Sequence, residues 1–475
     1  MNSVMDRAVS RTNGSMRWIP LALLVACTHD HDVVVGAGSD YVVKQMPTSP
    51  DLDVLFVIDN SAQIADKQNV FAQAFPAFVA ALDTYPGGRP NLHLGVVDST
   101  VDIGAPGFGP GCPSPDPHDN GLLQNTKTVA GCTPPAGLFI SDIANDDGTR
   151  TTNYGSDLAD TLACIGEVGE SGCGFESPML SILRALDGTN PDNAGFLRPD
   201  ADLAIVILND EDDCSAVDPT IFELPADTVG GLNDFRCQPL FAYDCDQPIT
   251  AGSGSATYTN CRPHPGGYLL DVDALPATLA KIKDPSQTSV SLIAGNPETT
   301  IETGSLPIGG SVQDPALFPS CRATINGNPA VARPAIRLSA FAQHYIENTF
   351  DTVCQPDYSD ALGNAGSAMT TMMTSPCLAG TVDATDTDAV NPGLQPDCTV
   401  VDHINDGTSA STDLTMPACP MSDATLPDPN GPRPCWWAAT DETCVPLGSE
   451  LALHVERAAA APAGTVVAAT CKLSH

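Results

Sequence analysis

Residues 53 to 61 read Asp-Val-Leu-Phe-Val-Ile-Asp-Asn-Ser, an apolar run delivered onto a carboxylate and a hydroxyl. β-Branched Val54, Val57 and Ile58 favour a strand, and the lack of any polar alternation means that both of its faces are covered. A strand of that kind belongs in the middle of a parallel sheet between two layers of helices. Open sheets of this class present ligands at the carboxyl ends of their strands, which is where Asp59 and Ser61 fall.

The following segment supports that architecture. Ile64, Phe71, Phe75, Phe78 and Leu82 recur at helical spacing, so one face of a helix is buried, with Pro76 expected to kink or restart it. Asn91 to Val97 reads as a second strand, and Phe139-Ile140 as a short one. Pro178 to Leu186 reads as a helix with proline in its first turn, and Leu203 to Leu208 as a second wholly apolar strand ending in Asn209-Asp210-Glu211-Asp212-Asp213. Ser289 to Ala294 adds a strand and Pro334 to Phe350 a closing helix. The alternation gives an α/β doubly wound, mostly parallel sheet over residues 51–355, Rossmann-like in its winding, with insertions at about 100–172 and 211–286.

Cysteine usage points to an oxidising compartment. Arg17 precedes the apolar run Trp18 to Ala26, which closes on Leu24-Val25-Ala26-Cys27. The run has the length of a signal-peptide core, about half of what a spanning helix needs. Small residues before a cysteine resemble the lipobox of bacterial lipoproteins, which implies a leader over 1–27, a lipidated Cys27 and a flexible tether over 28–50. Membrane attachment is then by the lipid anchor only, and Thr28, in place of aspartate, points to the outer membrane of a bacterial envelope. Setting Cys27 aside from the 17 cysteines leaves 16, read as eight disulfides. Cys112, Cys132, Cys164 and Cys173 form one local group and Cys214, Cys237, Cys245 and Cys261 another, with the pairing inside each left open. Residues 356–475 carry six further cysteines and read as a small Cys-rich β appendage, ending in a hairpin of Leu451 to Val455 with Val466 to Thr470.

An apolar strand, Asp59-Asn60-Ser61-Ala62-Gln63 and an amphipathic helix together resemble the start of a von Willebrand factor A-type domain. In that family D-x-S-x-S is the first loop of a metal-ion-dependent adhesion site. The resemblance implies a site of Asp59, Ser61, the departing Gln63, Glu176 or Ser177 from Gly174-Phe175-Glu176-Ser177-Pro178, and Asp210. It also implies Mg²⁺, Ca²⁺ or Mn²⁺ as the ion, since carboxylate and hydroxyl oxygens are hard ligands. Gln63 in the fifth place makes the motif degenerate. The same Asp59 and Ser61 also suit a plain helix cap. Asp210 to Asp213 with Asp218 read either as a second cation site or as a solvated acidic turn, His29-Asp30-His31-Asp32 as exposed linker, and Trp436-Trp437 as packing against a disulfide.

With 20 basic and 58 acidic residues the net charge is −38, which excludes nucleic acid and anionic surfaces as partners. The chain holds no G-x-S-x-G, H-E-x-x-H, G-x-x-x-x-G-K-[ST] or G-x-G-x-x-G motif. The expectation is therefore a lipid-anchored, non-enzymatic envelope protein that binds another protein or a surface polymer. The alternatives are a metal-free scaffold that has lost its metal site and a hydrolase with its site in the insertions.

Overall fold

The computed structural model describes residues 41–47, 51–85, 88–102, 119–125, 129–145, 147–199, 201–225, 229, 234–251, 254–283, 285–308, 312–374, 377–378, 382–384, 391–404, 412–423, 426–441, 444, 451–458 and 465–474. The leader, Cys27, the His29 to Asp32 stretch and Cys112 lie outside the described residues.

The apolar run of the opening motif is the central strand β1 (Asp51–Ile58). It pairs in parallel with β2 (Asn91–Asp98) on one side and with β5 (Asp202–Leu208) on the other. Beyond β5 come β6 (Thr288–Ala294) and β7 (Asn348–Thr352), both parallel. Beyond β2 come the antiparallel β3 (Phe139–Ala144) and β4 (Arg150–Thr152). The result is a seven-stranded, mostly parallel sheet in the order β7-β6-β5-β1-β2-β3-β4.

Alternation along β1 sends Leu52, Val54, Phe56 and Ile58 to one face and Leu55 and Val57 to the other, all fully or nearly fully buried. The first face is covered by α1 (Ala65–Leu82) and α2 (Leu158–Gly166). The second is covered by α3 (Pro178–Leu186), α4 (Ala274–Leu279) and α5 (Ile336–Ala342). Burying each large apolar side chain in these layers stabilises the fold by about 1.5–3 kcal/mol. Phe56 sits edge-on to Phe71, Phe75 and Phe78, with ring centroids 6.1, 5.4 and 5.4 Å away. These rings lie on both sides of Pro76 in sequence, and α1 is a single helix across it rather than two, because the aromatic cluster holds both halves against β1.

Several expectations are corrected. The closing helix is not Pro334 to Phe350: α5 stops at Ala342, and Asn348–Thr352 leaves it to form the parallel edge strand β7. The last helix of the layer is α6 (Ser359–Thr374), whose Ala361, Leu362, Ala365, Met369 and Met372 are buried with α1 against the sheet. The helix layer over the sheet therefore runs on past 355 to Thr374. Gly366 permits the approach of α6 to α1, since a Cβ there would stand 2.7 Å from Ala81 Cβ. The segment 100–172 is more than an insertion, because β3, β4 and α2 all come from it.

The C-terminal region is β-rich as expected, but its pairing differs. Leu451–Glu456 pairs with Cys435–Thr440, while Thr465–Lys472 lies between Cys398–Ile404 and Tyr41–Pro47. The two strands expected to form a hairpin thus belong to different sheets. Cys398–Cys471 ties one of them to its partner, and Arg457, at the end of the other, makes a bidentate pair with Asp402. Tyr41–Pro47 is a paired strand where a flexible tether was expected.

The disulfides among described residues are Cys132–Cys164, Cys214–Cys237, Cys245–Cys261, Cys321–Cys354, Cys377–Cys444, Cys398–Cys471 and Cys419–Cys435, and Cys173 is also disulfide-bonded.

Candidate functional site

The loops leaving β1 and β5 meet at the carboxyl end of the sheet. Asp59 is fully buried there; its Oδ1 accepts from the Ser61 backbone N–H at 2.7 Å and its Oδ2 from the Asp210 backbone N–H at 3.4 Å. Neither Asp59 nor Ser61 caps α1, whose N-cap is Ile64 without any side-chain hydrogen bond. The plain capping role is thereby excluded, and the Asp59 side chain instead holds the loop together and joins it to the next one.

Around this pair the backbone is laced tightly. The Gln68 side-chain amide donates to the carbonyls of Asp59 and Gly169 at 2.6 and 2.7 Å, and its oxygen accepts from the Gly169 N–H at 3.1 Å. Asn60 Oδ1 accepts from Thr100 Oγ1 at 2.8 Å, and its carbonyl accepts from the Gly172 N–H at 2.7 Å. Gly172 is required at that approach: a Cβ would stand 2.2 Å from Asn60 Oδ1.

Glu176 comes from the loop before α3, is 1% exposed, and leaves Oε2 without a hydrogen-bond partner. Burial first, then Glu211, Asp59 and Asp210, push its carboxyl well above the ordinary range. Burial and the Asp210 carboxylate push Asp59 up to about 8. Lys67 brings a cation to this cluster: its Nζ is 2.5 Å from Asp210 Oδ2, and their side chains are 4% and 13% exposed.

Of the residues expected at the site, Asp59, Glu176 and Asp210 come together and Ser61 lies beside them. Gln63 does not: it takes a left-handed φ of +79° and its side chain is exposed. Ser177 is spent on the carbonyls of Phe175 and Cys214. Sequence reasoning missed Lys67 and the Gln68 clamp, while Glu211 was read as part of the acidic run Asp210 to Asp213 and not as a neighbour of Glu176. The signal for Lys67 was available, because 64, 67, 71, 75, 78 and 82 form one unbroken helical stripe and the lysine is the only charge in it.

A divalent ion does not suit this donor set as it stands. The fifth motif position faces solvent, the serine before α3 is used by the backbone, and the Asp210 carboxylate is neutralised by Lys67. Among the described residues no group of three or more His, Cys, Asp or Glu side chains is placed to hold a metal ion.

The other acidic positions are anchors. Asp212 accepts from the N–H groups of Arg337 and Leu338 and from Tyr243 OH, and Asp213 from Met179 N–H, Ser215 and Arg337. Both are fully buried, so they are neither a solvated turn nor a free cation site. Asp218 caps a short 3₁₀ turn through Thr220. Trp436 donates to the Met416 carbonyl beside Cys419–Cys435, and Trp437 stacks on His454 at 4.4 Å, so both are packing residues.

No family model and no curated protein sequence matches the chain. Among solved structures it is similar to the pilus adhesin SpaC from Lactobacillus rhamnosus GG in its open conformation, at 11% identity and TM-score 0.29, over 92% of this chain and 44% of that one. It is also similar to the human COPII-coat protein Sec24c, at 10% identity and TM-score 0.31, over 92% of this chain and 46% of that one. For the pilus adhesin RrgA from Streptococcus pneumoniae the identity is 11% and the TM-score 0.19, over 91% of this chain and 58% of that one. The chain thus spans less than two thirds of each. The assignment to a mixed α/β fold with a large, mostly parallel central sheet rests on strand order, strand direction and helix layers.

Proposed function

We propose that this chain is an exported, non-enzymatic binding protein, held to the outer membrane of a bacterial envelope by lipid on Cys27. Its A-type domain takes a protein or surface polymer at the carboxyl edge of the sheet, and it does so without an exchangeable metal. The convergence of Asp59, Glu176, Asp210 and Lys67 on that edge is the observation that carries this reading. Burying several carboxylates and an ammonium costs stability that apolar residues of equal volume would not, and such a cost retained at the ends of the central strands marks a functional site.

Partner contact at this edge is tested by placing a photo-reactive residue at Gln63, on the rim of the site, and at Gln73, on the outer side of α1. Irradiation of intact cells is expected to give a discrete adduct from position 63 that is absent from position 73. Equal labelling from both positions, or none from 63, counts against the reading.

A further inference from the structure

The main sheet ends at β7, which among the described residues has β6 on one side and no strand on the other. Six large apolar side chains are exposed among the described residues, and two of them, Ile346 at 43% and Phe350 at 41%, lie on β7 or just before it. At the opposite edge, β4 exposes only Thr151 and Thr152. An edge strand with exposed apolar residues is a template for another strand. We propose that β7 is a self-association edge, at which two copies of this chain join their sheets antiparallel about Phe350.

Backbone direction fits that pairing. Val290 N–H donates to the Glu347 carbonyl at 3.1 Å, and Val353 N–H to the Ala294 carbonyl at 2.8 Å. In an extended strand the N–H and C=O of one residue point to the same side, and the side alternates from residue to residue. Glu347, Thr349, Asp351 and Val353 therefore turn their backbone groups toward β6, while Asn348, Phe350 and Thr352 turn theirs outward. A second β7 centred on the first sets Phe350 against Phe350 and Asn348 against Thr352, so outward groups meet outward groups at each of these positions. A slide of one residue would set them against inward ones.

Charge then selects among the remaining registers. Centred on Phe350, each Asp351 faces Thr349 of the other copy and no two acids are opposed. Sliding by two residues sets Asp351 against Asp351 in one direction and Glu347 against Asp351 in the other, and like charges directly opposite destabilise a sheet. With a net charge of −38 on each copy, freedom from such contacts is a condition for pairing at all. The symmetric register also brings the two Phe350 side chains together on one face. A ladder of five residues gives a weak, concentration-dependent dimer. Because the paired strands run antiparallel, the carboxyl edges of the two copies face opposite ways and both stay open.

Oxidative cross-linking of the full chain in detergent tests this, with one cysteine added as Phe350→Cys or, at an exposed apolar position outside the strands, as Val217→Cys. Phe350→Cys is expected to give an inter-chain disulfide dimer, since Cα atoms of a hydrogen-bonded antiparallel pair stand about 5.5 Å apart, within disulfide reach. Val217→Cys is expected to give none. No dimer from Phe350→Cys, or as much from Val217→Cys, overturns the proposal. Position 349 reads the register: added to Phe350→Cys, Thr349→Asp opposes carboxylates at two symmetric places and is expected to cut the dimer yield about tenfold, while Thr349→Lys raises it. Equal yields from those two variants also overturn the proposal. Should Phe350→Cys fail to fold, sedimentation of the wild type decides. A dimer fraction that rises with protein concentration and with salt, which screens the acidic charge, supports the pairing, and a monomer under all conditions overturns it.

Discussion

Lys67 Nζ and Asp210 Oδ2 stand 2.5 Å apart across 143 residues of sequence, joining the first turn of α1 to the loop after β5. Both groups are withdrawn from water, so each is more costly alone than paired. Lys67→Met and Asp210→Asn are each expected to lower the unfolding free energy by about 3–5 kcal/mol, and the double variant to lose less than the sum of the two. Chemical denaturation of the four proteins measures the cycle. Additive losses would show that the pair does not interact.

Gly172 tests how closely the loop before α3 must approach Asn60. A Cβ at Gly172 would fall 2.2 Å from Asn60 Oδ1, whereas a Cβ at Gly174 meets nothing within 4 Å. Gly172→Ala is expected to cost about 1–3 kcal/mol through overpacking, with Gly174→Ala close to neutral. Thermal melts of the two variants side by side check this, and equal melting temperatures would contradict it.

What the sequence made legible follows from which residues carry a pattern. Val54 to Ile58 and Leu203 to Leu208 are covered on both faces, so their identity as central strands shows in an unbroken apolar run. Arg150–Thr152 and Asn348–Thr352 lie at the sheet edges, are half-exposed, and carry polar residues that give no strand signal. The α6 helix buries Ala361, Ala365 and Gly366 against α1, and such small residues read as turn-like or neutral in a sequence. At the site, Asp59 and Asp210 were visible because they end apolar strands. Lys67 carries a weaker signal, a single charge in an otherwise apolar α1 stripe, because a long side chain at a helix's first turn can equally reach solvent.

The buried carboxyl of Asp53, at the opposite end of β1, sets a pH dependence. It is fully buried and accepts from the Arg198 backbone N–H at 2.6 Å and from Arg198 Nε at 2.7 Å. Burial outweighs the opposing pull of Arg198 and raises its pKa to about 6. The folded state therefore holds this proton more tightly than the unfolded chain does. The associated stability is fully present below about pH 4 and is lost as pH rises to about 6, by about 3 kcal/mol in all. Denaturation free energies measured across that window for the wild type and Asp53→Asn are expected to converge on a flatter profile in the variant. An unchanged slope would refute the assignment.

The Cys398–Cys471 disulfide closes a long stretch of the C-terminal region, with a sequence separation of 73, and joins Cys398–Ile404 to Thr465–Lys472 at their paired ends. Because Thr465–Lys472 also carries Tyr41–Pro47, the bond secures a sheet built from both ends of the chain. Replacing both cysteines by alanine is expected to remove about 2–5 kcal/mol from that sheet. The core around Phe56 shares no strand with it. Hydrogen exchange should then show protection falling in Val400, Val467 and Ala469 while the amides of β1 and β5 stay protected. Equal loss in both places would mean that the two sheets unfold as one cooperative unit and that the bond stabilises the whole chain.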